Sequence, residues 1–244
     1  MSYIIAENLF KKYGGGDSAV SAISDISFKI APGEFVGVMG ESGAGKSTLL
    51  SIMGAMNSPT TGRYIVEDID VYALTPERRA DFRREFLGFV FQSLHLVPYL
   101  TVLENVMLPL TTVNTKRKEK QSMAEAALDD VGLYGKNHRL PNQISGGEQE
   151  RVAIARAIVN QPPVILADEP TGNLDTRTSH EVMELFQRLN GGGMTIIMVT
   201  HSLESAKYAR RILNVCDGRL VKENTSLRRP IARSFGACPE PIAA

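Results

Sequence analysis

In Gly40-Glu41-Ser42-Gly43-Ala44-Gly45-Lys46-Ser47-Thr48 the first eight residues satisfy the spacing G-x-x-x-x-G-K-[ST]. The chemistry of such a stretch is anion binding. Its glycines let the backbone curl until the N–H groups face inward around phosphate oxygens, and a following helix adds the positive end of its dipole. Lys46 is then expected to bridge the outer phosphates of a nucleoside triphosphate, and Ser47 to hold Mg2+. The flanks agree, because an apolar run, Glu34 to Met39, comes before the loop and Thr48-Leu49-Leu50 opens an apolar helix after it. A second candidate group is Asp168-Glu169, at the end of Val164-Ile165-Leu166-Ala167. Parallel strands present ligands at their carboxyl ends, so Asp168 is the natural second metal anchor, and Glu169 beside it can orient and deprotonate a water that attacks the γ-phosphate. Alone, an acidic pair at a strand end would be a helix cap and a surface charge; the phosphate loop changes its meaning.

These residues need a scaffold that brings strand ends together, and the pattern of the chain supplies one. Strand-like and helix-like segments alternate, the mark of an α/β fold with a largely parallel sheet. Ile26, Phe28 and Ile30 alternate with Ser27 and Lys29 as a half-buried strand, and Arg63 to Tyr72 alternates around a turn at Glu67-Asp68, so a small antiparallel layer is expected beside the main sheet. Val164 to Ala167 and Thr195 to Thr200 are continuous apolar runs suited to central parallel strands. Residues about 95–160 form a mostly helical insert, with capping boxes at Thr101-Val102-Leu103-Glu104 and Ser145-Gly146-Gly147-Glu148. A helix starting near Thr115 carries Met123, Ala127, Leu128 and Val131 on one face and stops at Gly132, while Lys116 to Lys120 makes an ordinary solvated face. A hairpin spans Asn214 to Leu220, and a loose tail is expected from residue 223 to 244.

Composition excludes several classes. The 244 residues hold 27 basic and 27 acidic side chains, so the Lys/Arg excess that drives nucleic-acid binding is absent and no nucleic-acid partner is expected. Cys216 and Cys238 do not make a C-x-x-C pair and are too few for a disulfide scaffold, which favours a reducing compartment. The apolar run Met1 to Tyr13 ends in Lys11-Lys12, the reverse of a signal peptide's order, and no stretch reaches the roughly 18 apolar residues of a membrane span.

Between and after the phosphate motifs lie Ser145-Gly146-Gly147-Glu148-Gln149 with Arg151 to Ala157, and Glu169-Pro170-Thr171-Gly172-Asn173-Leu174-Asp175. With these, residues 3–222 resemble the nucleotide-binding subunits of ABC transporters, whose seven motifs stand here in order. The resemblance implies a P-loop NTPase (RecA-like) core with a small antiparallel β subdomain and a helical signature subdomain. It implies ATP and Mg2+ as cofactors and assigns roles position by position. Gln92 would touch Mg2+ or the attacking water and sense the membrane partner. His201 would hydrogen-bond the γ-phosphate, and Tyr13 would stack on adenine. Ser145 with the amides of Gly146 and Gly147, followed by Glu148, would form a second anion site reaching ATP held by another copy's Lys46. Asp175 would couple the two sites across the dimer, an ordinary helix N-cap being the alternative. The partners implied are a second copy in a head-to-tail ATP-sandwich dimer and an integral membrane permease subunit, which would hold the chain peripherally at the cytoplasmic face of the inner membrane.

Two phrases, Phe91 to Val106 and Glu169 to Asp175, look like the lipoprotein-releasing and macrolide-exporting branch. There the segment after Gln92 is the expected docking surface, leaving Leu94, Leu96, Val97, Pro98 and Tyr99 partly exposed. The competing assignment is a cell-division-type ATPase of the same broad group that regulates a membrane partner without moving cargo. Ile144 and Glu150 depart from the Leu and Gln that are commonest in this family; neither removes a phosphate ligand. His95, His138 and His180 have no matching context.

Overall fold

The fold was taken from a computed structural model that describes residues 3–14 and 19–225. Alternating apolar and polar residues near the N-terminus build an antiparallel layer. β1 (Ile4–Tyr13) pairs with β2 (Val20–Ile30), which buries Ile26, Phe28 and Ile30 and turns Ser27 and Lys29 to water. The chain leaves this layer through β3 (Phe35–Met39) and α1 (Lys46–Met53), then returns as β4 (Thr61–Val66) and β5 (Ile69–Asp70), in the order β2-β1-β4-β5. Glu67 and Asp68 make the β4–β5 turn with φ of 47° and 66°, the paired left-handed conformation that matches hairpin twist.

The remaining elements are α2 (Pro76–Phe86), β6 (Leu87–Val90), α3 (Val102–Met107), α4 (Arg117–Asp130), α5 (Gly146–Ile158), β7 (Val164–Asp168), α6 (Thr176–Gly191), β8 (Thr195–Val199), α7 (Leu203–Ala206), β9 (Arg211–Cys216) and β10 (Arg219–Thr225). Six strands form the main sheet in the order β10-β9-β3-β8-β7-β6; all neighbours pair in parallel except β10, which runs antiparallel at one edge. Its central strands are apolar on both sides because both sides are covered. Ile165, Ala167, Ile196 and Met198 pack with Val102 and Val106 of α3, Val152 of α5 and Phe186 of α6. Val164, Leu166, Ile197 and Val199 pack on the opposite side with Leu49, Ile52 and Met53 of α1 and with Ile4, Leu9 and Ile26 of the antiparallel layer.

The helical insert forms as expected, from α3, α4 and α5 with short 3-10 turns between them. Both capping boxes close: Glu104 Oε2 accepts from the Thr101 amide at 2.8 Å, and Glu148 Oε2 from the Ser145 amide at 2.9 Å. α4 begins at Arg117, two residues later than Thr115, and its Ala124, Ala127 and Leu128 are buried while Lys116 to Glu119 face water. The hairpin after Asn214 corrects one boundary. β10 continues to Thr225, with Glu223, Asn224 and Thr225 opposite Leu213, Ile212 and Arg211, so these residues belong to the sheet and not to a loose tail. An edge strand is held by main-chain pairing and needs no apolar alternation, which is why its last residues carry no sequence signal. The rest of the expected tail, and Gly15 and Gly16, lie outside the described residues.

Two features of this architecture have measurable consequences. Gly45 caps α1 at φ 98°, and a Cβ there would stand 2.3 Å from the carbonyl oxygen of Ala22 in β2. Gly45→Ala is therefore expected to cost at least ~1–2 kcal/mol from the left-handed backbone alone, seen as a lower thermal midpoint together with lost nucleotide binding. Glu150, inside α5, is 4% exposed with its Oε1 unpartnered, and burial pushes its carboxyl up from 4.5 to about 8. The folded chain then holds a proton that the unfolded chain releases, so stability falls as pH rises from about 4.5 to about 8. Glu150→Gln should match the parent in urea midpoint at pH 5 and exceed it at pH 8; equal midpoints at both would refute the assignment.

Candidate functional site

Parallel pairing sets the ends of four strands side by side. Val38 of β3 and Asp168 of β7 both lie opposite Val199 of β8, while Val90 of β6 lies opposite Ala167. The residues that follow these ends are Gly40, Thr200 and His201, Glu169, and Gln92. They converge on a cavity of about 600 Å3, around which stand Ala22, Gly40 to Gly43, Gly45 to Thr48, Gln92, Asp168, Glu169, Val199 and His201. Every member of the phosphate loop except Ala44 borders it. Ala44 is buried and faces the protein instead, with its carbonyl accepting from the Gly218 amide at 3.0 Å.

The loop has the shape its glycines suggested. Gly43 and Gly45 take φ of 81° and 98°, and Lys46, only 9% exposed, folds back so that Nζ donates to the carbonyls of Gly40 at 2.8 Å and Glu41 at 2.7 Å. Those bonds satisfy a buried ammonium that could exchange them for phosphate oxygens. Gly40 is confined, since a Cβ would come within 2.1 Å of the Val215 carbonyl oxygen in β9.

Asp168 and Glu169 sit together at the far wall. Burial raises the Asp168 pKa, as does the neighbouring Glu169 charge, while Lys46 lowers it. Glu169 has φ 47°, a left-handed conformation uncommon outside glycine, held by its amide donating to Val199 O at 2.9 Å and its carbonyl accepting from the Gly172 amide at 3.0 Å. This backbone turn aims the carboxylate at His201. Oε1 lies 2.8 Å from His201 Nδ1, and Oε2 accepts from the Thr200 hydroxyl at 3.2 Å. A carboxylate fixed at both oxygens beside the phosphate-loop cavity could accept a proton from a water placed there.

Gln92 also borders the cavity, and its carbonyl accepts from Asn173 Nδ2 at 3.3 Å, tying the segment after β6 to the one after β7. Three expected groups lie apart. Ser145 to Glu148 are engaged in their capping box at the start of α5, Asp175 N-caps α6, and Tyr13, 42% exposed at the end of β1, accepts from Asn57 Nδ2 at 2.5 Å under the Lys11 ammonium. None of them borders the cavity. Conversely, Ala22 and the Gly218 turn support the loop without having been singled out. Ala22 O would meet a Cβ at Gly218 at 2.7 Å, and Ser24 N donates to Gly218 O at 2.7 Å. A strand residue and a hairpin turn carry no chemical signature, so only their contact with the loop reveals them.

Of the other histidines, His180 shares a 2.6 Å hydrogen bond with the Tyr208 hydroxyl, and the His95 carbonyl accepts from Arg156 Nη1 at 2.7 Å. The segment after Gln92 is exposed at its tip, with Tyr99 79% accessible. It is nevertheless rigidly backed. Buried Asn105 accepts from the Val97 amide at 2.7 Å and donates to the carbonyls of Val97, Leu100 and Thr101.

Comparison with known proteins agrees with this geometry. The sequence model of the family described as ABC transporter matches residues 23–172. A macrolide export ATP-binding/permease protein, MacB, of Sodalis glossinidius is 43% identical over 232 residues, covering 95% of this chain and 36% of that protein. The chain thus spans about a third of the length of the macrolide-export relatives it matches. An uncharacterised ABC transporter ATP-binding protein of Thermotoga maritima is 46% identical over 213 residues, covering 87% of this chain and 91% of that one. Among solved structures, the dimeric post-hydrolysis state of the ATP-binding cassette MJ0796 bound to ADP and Pi superposes with a TM-score of 0.83 at 40% identity, covering 91% of this chain and 98% of that chain. With the phosphate loop, the acidic strand end and His201 gathered at the carboxyl ends of the central strands, the chain belongs to the ABC transporter family and is one of its ATP-hydrolysing cassettes.

Proposed function

We propose that two copies of this chain close head to tail around two ATP molecules and drive an integral membrane permease, for export or for work on the outer side of the membrane. The observation that carries the two-copy reading is the placement of Ser145 to Glu148 away from a cavity that otherwise holds a complete phosphate loop and base. A chain built this way has half of each site, and the second half comes from another copy. The dimeric MJ0796 cassette supports this reading.

Within each site the chain's residues divide the work. The loop amides and Lys46 hold the phosphates, Tyr13 offers its exposed ring to the adenine, and Gln92 stands by the attacking water. Mg2+ offsets phosphate charge when bound. Its holders are Ser47 and Asp168, with Gln92 near, an all-oxygen set suited to a hard cation that keeps most of its water. Glu169 accepts the proton of the attacking water, positioned by Thr200 and His201, and Ser145 and the signature glycines meet the γ-phosphate from the other copy.

The membrane partner is proposed to dock beside Gln92. Among the described residues no helix is long and apolar enough to cross a membrane. A groove of about 540 Å3 opens there between β6, α5 and the turn after α3, floored by Phe89, Phe91 and Leu108 and edged by Arg83, Arg84 and Arg156. Phe91 of that groove precedes Gln92, so a segment seated there would act on a residue that borders the phosphate-loop cavity. Relatives named as combined ATP-binding and permease proteins support such a partner, and the proposed location is peripheral, at the cytoplasmic face.

Glu169→Gln tests base and dimer together. Turnover should fall by about 10²–10⁴-fold, and with ATP and Mg2+ the variant should elute from a sizing column as a dimer. Undiminished turnover refutes the base, and a monomer under those conditions refutes the sandwich.

A further inference from the structure

The two glycines of the signature differ in what surrounds them. A Cβ on Gly146 would make ordinary contact with Leu174 Cδ2 at 3.9 Å. A Cβ on Gly147 would lie 2.3 Å from Cγ2 of Thr178, far inside contact distance. Thr178 stands in the first turn of α6, and its other β substituent is committed. The Thr178 hydroxyl donates to Asp175 Oδ2 at 2.6 Å, and its amide donates to Asp175 Oδ1 at 3.0 Å. A β-branched side chain has one rotation about its first bond to satisfy both neighbours. Turning the methyl away from Gly147 swings the hydroxyl off Asp175.

We infer that Thr178 is the positioning residue that links the signature, Ser145 to Gln149, to the Asp loop, Glu169 to Asp175, within one chain, so that Gly147 and Asp175 can move only together. The inference rests on the two-copy reading above, in which the signature of one chain serves one ATP and its Asp loop borders the other. Thr178 touches neither nucleotide. It sets the start of α5 against the start of α6, and a displacement of Asp175 on hydrolysis at one site is passed through the threonine methyl to the backbone that meets phosphate at the other. The bare face of Gly147 is therefore a packing requirement of α6 as well as an approach for phosphate. Both Thr178 bonds also hold the Asp175 carboxyl below the usual range, which keeps it ionised and bonded.

The test is a double-mutant cycle in the intact chain. Gly147→Ala should reduce both ATPase turnover and, in a Glu169→Gln background, ATP-dependent dimerisation by at least tenfold. Thr178→Ser removes the one methyl that the new Cβ meets while keeping the hydroxyl, so the double variant G147A/T178S should recover at least threefold over Gly147→Ala, the remaining deficit being the narrowed approach for phosphate. Thr178→Val keeps the methyl and removes the hydroxyl; it should lower kcat severalfold with KM for ATP within twofold and reduce the steepness of the ATP dependence. Should Gly147→Ala fail to fold, Thr178→Val, which adds no bulk, decides: parental kcat and steepness overturn the inference. A double variant as deficient as Gly147→Ala overturns it too. If the Glu169→Gln parent stays monomeric with ATP, the two-copy reading falls and takes the inference with it; if that parent dimerises and the cycle is additive, only the link through Thr178 falls.

Discussion

Everything at the site hangs on the in-register parallel pairing of β3, β8, β7 and β6. Strands that run the same way and begin level also end level, and their carboxyl ends carry polar residues where main-chain pairing stops. Val38, Val199 and Asp168 lie in one row across the sheet. A slip of one residue at β7 would turn Asp168 to the opposite side and bury Ala167 in the wrong core. The two cores prevent that slip. Alternate residues of β7 and β8 are sorted into clusters on opposite sides of the sheet, so register is enforced twice, by α1 and the antiparallel layer on one side and by α3, α5 and α6 on the other.

Around this frame the chain places its glycines where backbones must approach. Gly40 lies against β9, Gly45 against β2, and Gly88 of β6 would bring a Cβ within 2.4 Å of the Ala157 carbonyl of α5. The antiparallel layer and the C-terminal hairpin thereby become walls of the phosphate loop. The same economy appears in caps. Ser145 and Asp175 both satisfy helix N-termini by ordinary capping, and both are residues proposed to act between the two sites. A cap holds the side chain in one place while leaving the next amides directed outward, which suits a group that must meet a ligand arriving from outside the chain.

The helical insert is stiff where a membrane partner would press on it. Asn105 occupies its whole amide on the 97–101 segment, and Arg156 grips the carbonyls of Leu94 and His95, two residues at φ of 53° and 49°. In the proposed coupling, a push on this segment would be carried toward Gln92, whose carbonyl accepts from Asn173 in the 169–175 loop. Glu150 is an exception to this consistency. It spends stability above about pH 5 on a buried carboxyl without a partner on Oε1, and nothing in the structure explains why Glu stands there.

Much was legible before any coordinate. Glycine spacing, the apolar runs before Gly40 and Asp168, and two capping boxes are local signals, because backbone curl, strand burial and helix initiation are settled by residues a few positions apart. These identified the loop, the acid pair, the helical insert and the antiparallel layer. The last residues of β10 were not legible, since an edge strand held by main-chain bonds leaves no pattern in its side chains. Nor were Ala22, the Gly218 turn, the clamp of His201 on Glu169, or the interlock of Gly147 with Thr178. Each joins positions from 23 to 196 residues apart, and such contacts depend on which strand lies beside which. The sequence by itself determined the chemistry, because the kinds of side chain and their local spacing are written there. Only the tertiary structure decided which of them share a cavity and which face away, because strand order and register are properties of the packed sheet.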